Sequence, residues 1–348
     1  MPHFDISASV PKILSLDFKN FLITFCLSIA IICTTGVGQV YSQVSPQIES
    51  LIENSHASNA FWAVQVRDEQ GTVLENLNGD KLFRPASNLK LISSGLFLDR
   101  LGIDYSFETT LYGRGEQTGE TWKGDLLIEG SGDPSIGGTL YDDPLFLFEK
   151  WVRVLQNRGI TRIDGNIIGY DGFFDDVPYP RGWEWDDLSY YYAPEISALS
   201  FNSNVVDLEV TANGQVGQKP QISWFPFNTP YVEFVNEQVI TPPGSRFDES
   251  YRRVLGTNKI ILRSSLPQGY YETEPLSVKN PSLYFTDTLI RYLQKSGIDV
   301  TGEPLTDSDY FTWNTDHLTV LNRHYSKPLH ELVTHLNRES DNFLRKCS

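Results

Sequence analysis

Helical periodicity at two ends of this chain brackets a long β-patterned stretch, and that bracketing limits what the chain can fold into. Leu89, Ile92, Leu96 and Leu98 mark a helix that closes at Gly102, and the character changes after Asp104. Helical spacing returns at Leu283 to Leu293 and again at Leu329 to Arg338. If the two helical ends share one core, everything between them is an insertion. Ahead of the first helix, residues 44–58 read as an amphipathic helix carrying Ile48, Leu51 and Ile52. Phe61 to Val66 and Val73 to Leu77 then read as a hairpin around Asp68-Glu69-Gln70-Gly71. Within the bracket, Phe107 to Leu111, Gly124 to Ile128, Gly165 to Tyr170, Asn204 to Val210, Gln221 to Trp224 and Lys259 to Arg263 read as strands. They surround one clear helix, Leu145 to Asn157, closed at Gly159.

Two polar patterns sit on the helical ends. Ser87-Asn88-Leu89-Lys90 opens the first helix, directly after Phe83-Arg84-Pro85-Ala86. A serine and a lysine three residues apart lie on one helical face, so the amine can take the hydroxyl proton and make an acyl-transfer nucleophile without a histidine. The helix N-terminus also favours negative charge developing on an attacked carbonyl. The bland alternative is an N-cap serine beside a solvated lysine. A second Ser-x-x-Lys, Ser9 to Lys12, falls in the leader and is set aside. The other pattern, Ser340-Asp341-Asn342, ends the helical stretch of Leu332, Val333 and Leu336, where its side chains can project beside the nucleophile. Ser200-Phe201-Asn202 has the same spelling but precedes a strand, which reads as turn chemistry.

The chain has 348 residues and a formal net charge of -16, which argues against nucleic acid as a partner. Residues 1–42 read as a signal peptide: Lys12 and Lys19 precede the apolar run Phe21 to Ile32, with small residues following. The expected location is therefore periplasmic or otherwise exported, with no stable membrane span after cleavage. Cys26 and Cys33 leave with that segment, so Cys347 has no internal partner and the fold must rest on its core.

Other constellations are weaker. His330-Glu331-Leu332-Val333-Thr334-His335 places its second histidine five positions on, about 140° around a helix from the first, so one metal ion could not take both. Gly130-Ser131-Gly132 lacks a third glycine and reads as a turn. Asp171, Asp175 and Asp176 lack the alternation of a calcium loop and read as a solvated turn. No metal and no cofactor is expected.

Ser87-x-x-Lys90 with Ser340-Asp341-Asn342, about 250 residues on, resembles the first two of three signatures of penicillin-binding proteins. The long spacing is similar to that of the low-molecular-mass class C group, D-alanyl-D-alanine carboxypeptidases and endopeptidases. Gly124-Asp125-Leu126 to Gly132-Asp133-Pro134, Ile163-Asp164-Gly165-Asn166, and Tyr191-Tyr192-Ala193-Pro194 to Ser197-Ala198-Leu199 look like that group's insertion. Ser326-Lys327-Pro328-Leu329 through Asn342 looks like its approach to the second signature.

The resemblance implies an α+β fold: a β-lactamase/transpeptidase-like domain from residues 44–105 and 275–348, with its C-terminal part missing, and a large β-rich insertion at 106–274. It implies Ser87 as the nucleophile, Lys90 as its base and Ser340 as the proton donor to the leaving amine. Asn342 would hold the substrate amide. Peptidoglycan stem peptides and β-lactam antibiotics are the implied partners.

The group's third signature, Lys-Thr-Gly, does not follow Ser340 in these residues. Lys295-Ser296-Gly297 spells a variant but reads as ordinary helix termination. In the family the sheet-edge strand carrying this signature supplies one of two oxyanion-hole donors, and loss of one donor removes about 2.7 to 4 kcal/mol of transition-state stabilisation. A frameshift, a premature stop or a fragment would each explain the sequence, and the 348 residues alone are expected to be inactive or weakly active. The alternatives are a non-catalytic peptidoglycan-binding scaffold, motivated by the aromatic stretch Trp183 to Tyr192, and a β-lactamase-like hydrolase.

Overall fold

The computed structural model describes residues 44–175, 177–306 and 317–347. The leader with Cys26, Cys33 and the Ser9–Lys12 pair lies outside the described residues, as does Asp176. The chain divides into two compact units, Met1–Arg84 and Pro85–Ser348.

In the first unit, α1 (Pro46–Glu53) is shorter than its periodicity suggests and leaves Leu51 exposed. An antiparallel hairpin follows, β1 (Val64–Arg67) and β2 (Val73–Leu77). Its turn is closed by Asp68, whose carboxylate accepts from the amides of Gln70 (3.0 Å) and Thr72 (2.7 Å), with Gly71 at a φ of 84°.

The second unit opens with α2 (Leu89–Leu101), stopped by Gly102 at a φ of 90°. Then come β3 (Glu108–Thr118), β4 (Thr121–Gly130), α3 (Phe146–Asn157), β5 (Arg162–Asp164) and β6 (Ile167–Tyr170). Short strands follow: β7 (Val205–Thr211), β8 (Gln221–Phe225), β9 (Glu233–Asn236), β10 (Val239–Thr241), β11 (Tyr251–Arg253), β12 (Lys259–Leu262), β13 (Ser265–Pro267) and β14 (Tyr271–Ser277). The chain returns through α4 (Pro281–Lys295), β15 (Asp299–Val300), β16 (Pro304–Thr306) and β17 (Thr319–Tyr325) to α5 (Leu329–Glu339) and α6 (Asn342–Cys347).

The largest sheet among the described residues has the order β15-β5-β4-β3-β17, with β6 between β4 and β16. Its faces follow the two-residue period of a strand. Leu111, Trp122, Leu126, Ile128, Ile163 and Ile167 turn to one side, against Phe148 and Trp151 of α3 and Phe285, Leu289 and Leu293 of α4. Tyr112, Leu127 and Ile168 turn to the other. The smaller sheets β14-β7-β8, β11-β12-β9 and β10-β13 extend the first of these cores through Val206, Leu208, Val210, Ile240, Ile260, Leu262 and Leu266.

One arrangement was not visible in the periodicity. β17 pairs antiparallel with β3, and β15 and β16 pair with β5 and β6, so these three later strands complete the sheet of residues 108–170. β14, α4, β15, β16 and β17 therefore pack with the stretch read as an insertion. Strand pairing over such separations leaves no local periodic trace.

Asp171 also departs from expectation. It accepts from the hydroxyls of Ser197 (3.1 Å) and Ser282, tying the start of α4 to the loop before β7 instead of sitting in a solvated turn.

An acidic cluster formed by two β14 residues and Glu249 affects stability. Carboxylate oxygens of Glu249, Glu272 and Glu274 lie within 4.8 Å of one another. Burial, then the charges of Glu249 and Glu272, push Glu274 up to about 7. A free-chain glutamate titrates near 4.3, so between these values the folded state keeps a proton that the unfolded chain has lost. Stability should therefore fall as pH rises from about 4.5 to about 7 and then level off. Glu274→Gln, which mimics the protonated form, should flatten that part of the profile and exceed the parent in stability at pH 8. Thermal unfolding across pH 4–9 checks this, and a variant that declines as steeply as the parent would count against it.

Candidate active site

The site is built where α2 meets α5. Leu329, Leu332, Val333 and Leu336 form the buried stripe of α5, and they pack with Phe107 and Leu344 against Phe97, Leu98 and Tyr105. Burying such a side chain contributes about 1.5–3 kcal/mol, so this stripe sets the distance between the helices. Main-chain bonds set the direction of α5: the amides of Leu329 and His330 donate to the carbonyls of Tyr105 (2.8 Å) and Ile103 (3.2 Å). Two of the unpaired donors of the α5 N-terminus are thereby met by the segment that leaves α2. Farther along, the Ser94 hydroxyl donates to Asn337 Oδ1 at 3.2 Å. Ile92 and Leu96 of α2, expected on its apolar stripe, remain exposed; of the four residues read as that stripe, Leu98 reaches this cluster.

Ser87 lies in a single 3-10 turn, Ala86–Asn88, that runs into α2. Ala86 holds a φ of 46°, a left-handed conformation unusual for a residue with a Cβ, so the chain bends sharply just before the serine. Lys90, one turn on, is 3% exposed. Its Nζ lies 3.4 Å from Ser87 Oγ, 3.3 Å from Ser340 Oγ and 2.6 Å from Asn342 Oδ1. The structure thus brings together Ser87, Lys90, Ser340 and Asn342, the four residues singled out in the sequence. The heavy-atom geometry serves two proton states. An ammonium would donate to all three oxygens, whereas a neutral amine would accept from Ser87 and donate to the other two.

The second motif is a corner between helices. Ser340 closes α5 in the left-handed region (φ 57°, ψ 38°). The Asp341 side chain accepts from the Leu344 amide at 3.0 Å, three residues on, which is N-cap geometry for α6. Asn342 starts that helix and donates through Nδ2 to the Tyr192 carbonyl at 3.4 Å. Of the three residues in this motif, the outer two face Lys90 and the middle one fixes the bend.

A cavity of about 310 Å³ adjoins these groups, lined by Tyr191, Tyr192, Glu339, Ser340, Asp341 and Asn342. Tyr192 stacks on Tyr190 with centroids 5.7 Å apart and donates its hydroxyl to Asp187 at 3.2 Å. Burial and the Asp187 charge push its phenol up to about 12, so at neutral pH it is a donor and not a base. The sequence reading placed Tyr191 and Tyr192 in the insertion but not in the site. The local sequence carries no sign of the main-chain contact from Tyr192 to Asn342. In the aromatic stretch, Trp185 and Tyr191 are exposed, while Trp183, Tyr190 and Tyr192 are half-buried.

The competing patterns behave as turns and caps. Asn202 donates to the Val205 carbonyl (3.2 Å) and Asp207 (3.0 Å), and Ser200 to the Ser197 carbonyl (2.9 Å). Lys295-Ser296-Gly297 ends α4, with Gly297 at a φ of 85°. His330 Nδ1 lies 3.1 Å from the Ile103 carbonyl and His335 Nε2 3.9 Å from Asp341.

The capping role of Asp341 is directly testable. Asp341→Ala should lower stability by about 1 kcal/mol, read as a fall in thermal midpoint, and Asp341→Ser should restore most of it. Equal losses in both variants would remove the cap from the account.

Residues 44–347 match the model of the D-Ala-D-Ala carboxypeptidase 3 (S13) family. The chain is 25% identical over 313 residues to a D-alanyl-D-alanine carboxypeptidase of Actinomadura sp. (strain R39), covering 88% of this chain and 56% of that protein. It is 25% identical over 301 residues to the D-alanyl-D-alanine carboxypeptidase DacB of Haemophilus influenzae, covering 86% of this chain and 59% of the relative. The crystal structure of penicillin binding protein 4 (dacB) from Haemophilus influenzae matches with a TM-score of 0.67 at 22% identity, over 82% of this chain and 61% of the other. The same protein complexed with a β-lactam matches with a TM-score of 0.59 at 21% identity, over 81% and 58%. The fold is thus the β-lactamase/transpeptidase-like one, and the chain spans under two thirds of the length of these relatives.

Proposed function

The chain belongs to the D-Ala-D-Ala carboxypeptidase 3 (S13) family, and we propose that Ser87, Lys90, Ser340 and Asn342 are its acyl-transfer machinery. The observation that carries this is the position of Lys90 Nζ within 3.4 Å of all three partner oxygens. The substrate is the D-alanyl-D-alanine end, or a cross-link, of a peptidoglycan stem peptide. Ser87 Oγ attacks the carbonyl between the two D-residues while its proton passes to the Lys90 amine. The C–N bond then breaks, and Ser340, in contact with Lys90, hands a proton to the departing amine. The resulting ester is cleaved by water, which regenerates the Ser87 hydroxyl. Asn342, fixed between Lys90 and the Tyr192 carbonyl, presents its amide to the substrate backbone.

A β-lactam offers Ser87 the same kind of carbonyl in a ring whose nitrogen cannot diffuse away, so acylation by penicillins belongs to this reading. So does an exported, periplasmic location, with residues 1–42 as the signal peptide. Among the described residues, no helix is long and apolar enough to cross a membrane. The residues proposed to act lie at the start of α2 and at the α5–α6 corner, on either side of residues 106–274.

Benzylpenicillin followed by intact-mass spectrometry and peptide mapping tests the proposal. One adduct per chain is expected, formed slowly, located at Ser87 and absent from Ser87→Ala. Lys90→Ala should slow it at least a hundredfold, the scale of general-base assistance. An adduct at another residue, or a rate indifferent to Lys90, would overturn the assignment, and rapid labelling would overturn the expectation that these residues alone are at most weakly active. The exposed rings of Trp185 and Tyr191 favour a second, non-catalytic reading, a peptidoglycan-binding scaffold. Sedimentation of Ser87→Ala with purified sacculi, lost on Trp185→Ala and Tyr191→Ala, would support that reading.

A further inference from the structure

Three consecutive residues in the turn that leads into β7 hold left-handed backbone: Asn202, Ser203 and Asn204, at φ 50°, 52° and 59°. Asparagine offsets the crowding of its Cβ there with local hydrogen bonds, whereas serine is seldom found in that region. The surroundings fix the bend. Asn202 Nδ2 donates to the Val205 carbonyl (3.2 Å) and Asp207 (3.0 Å), and its amide donates to the Ile136 carbonyl (2.8 Å). Asn204 Nδ2 donates to the Glu195 carbonyl (2.8 Å) and Ser200 Oγ (3.1 Å), while its Oδ1 accepts from the Phe201 amide (3.3 Å). Gly137 lets its main chain press on the turn, since a Cβ there would lie 2.8 Å from Asn202 Cα. Both asparagine side chains are therefore committed to holding the shape. Ser203 is not. It is half-buried and lines the cavity of about 310 Å³ together with Tyr191, Tyr192, Ser340 and Asn342. Among the described residues its hydroxyl has one contact, Thr139 Oγ1 at 3.4 Å, at the long limit of a hydrogen bond.

We propose that Ser203 is a substrate-contacting residue, its hydroxyl hydrogen-bonding the main chain of a peptide bound beside Ser340 and Asn342. Sparsely populated backbone conformations persist where the structure around them over-determines them, and they cluster at ligand sites. Glycine would take this bend without crowding, so the serine contributes its hydroxyl at the cost of a strained backbone. That hydroxyl both donates and accepts, which suits a peptide whose N–H and C=O groups alternate along the chain. The α5–α6 corner brings Ser340 and Asn342 to the cavity, and the turn before β7 brings Ser203, so a bound peptide is held by two separate segments. The inference deepens the acyl-transfer reading and rests on it for the identity of the ligand.

The test uses the full chain carrying Ser87→Ala, so that binding is read without acylation. Acetyl-L-lysyl-D-alanyl-D-alanine is titrated by saturation-transfer NMR at pH 7, and thermal midpoints are measured alongside. Ser203→Gly and Ser203→Ala should each weaken binding about fivefold, the scale of one neutral hydrogen bond. Ser203→Gly should hold or raise the thermal midpoint, because glycine relieves the left-handed backbone. Weaker binding without lost stability separates contact with the ligand from support of the fold. Thr139→Val, which removes the hydroxyl facing Ser203, should leave binding undiminished; if it weakens binding as much as the serine variants do, the Ser203 hydroxyl serves the turn and the proposal fails. Undiminished binding in both serine variants overturns the proposal and leaves the acyl-transfer reading standing. A peptide that does not bind the Ser87→Ala chain at all overturns the substrate reading and this inference with it. Should Ser203→Gly fail to fold, Ser203→Ala and Thr139→Val decide the matter.

Discussion

A lysine almost wholly removed from water must have its N–H donors met, because an unmet buried charge is among the most unfavourable features a fold can carry. Lys90 meets this demand with oxygens from Ser87, one turn away, and from Ser340 and Asn342, 250 and 252 residues away. That requirement runs in both directions. The polar contacts favour the approach of the α5–α6 corner, and the approach buries the lysine. The apolar stripe of Leu329, Leu332, Val333 and Leu336 supplies the attraction that makes the burial tolerable. The Tyr105 and Ile103 carbonyls remove the remaining freedom of direction at the start of α5. Positioning of the reacting groups is thus a consequence of ordinary helix packing with one polar exception at its centre.

The sequence was informative where chemistry is local. A serine and a lysine on one turn, Gly102 and Gly297 as helix stops, and the Asp68–Gly71 turn are all set by residues within a few positions of one another, and each is found as read. The four site residues were legible because helical periodicity on both sides placed their patterns at helix ends. Legibility failed for contacts made across the chain. The pairing of β17 with β3, the contact of the Tyr192 main chain with Asn342, and the hydroxyls that meet Asp171 all join segments whose local patterns are silent about each other. Ile92 and Leu96 show the converse case. Their spacing reads as a core face, yet burial depends on what lies opposite, and spacing says nothing of that.

The middle residue of Ser340-Asp341-Asn342 illustrates how one short motif answers two demands. Ser340 and Asn342 must reach Lys90 from opposite sides of a bend, and a bend between helices leaves amides unpaired on its far side. Asp341 takes one of those amides, from Leu344, while Ser340 accepts the left-handed backbone that the turn requires. A motif remembered for its chemistry is therefore also a solution to a problem of chain direction.

The register of β17 on β3 has a consequence for how the protein is made. Arg323 of β17, opposite Thr110, donates diagonally across that edge to Glu108, 215 positions earlier in the chain. During synthesis, β3 must wait with one side of its ladder open until nearly all of the intervening polypeptide has emerged, and non-local pairings of this kind form late. Ser326 and α5 follow β17 directly, so closing that edge delivers the second half of the site in the same step. A nascent chain thus gains its buried lysine and its last sheet partner together, and until then it is vulnerable to pairing with a neighbour on the same message.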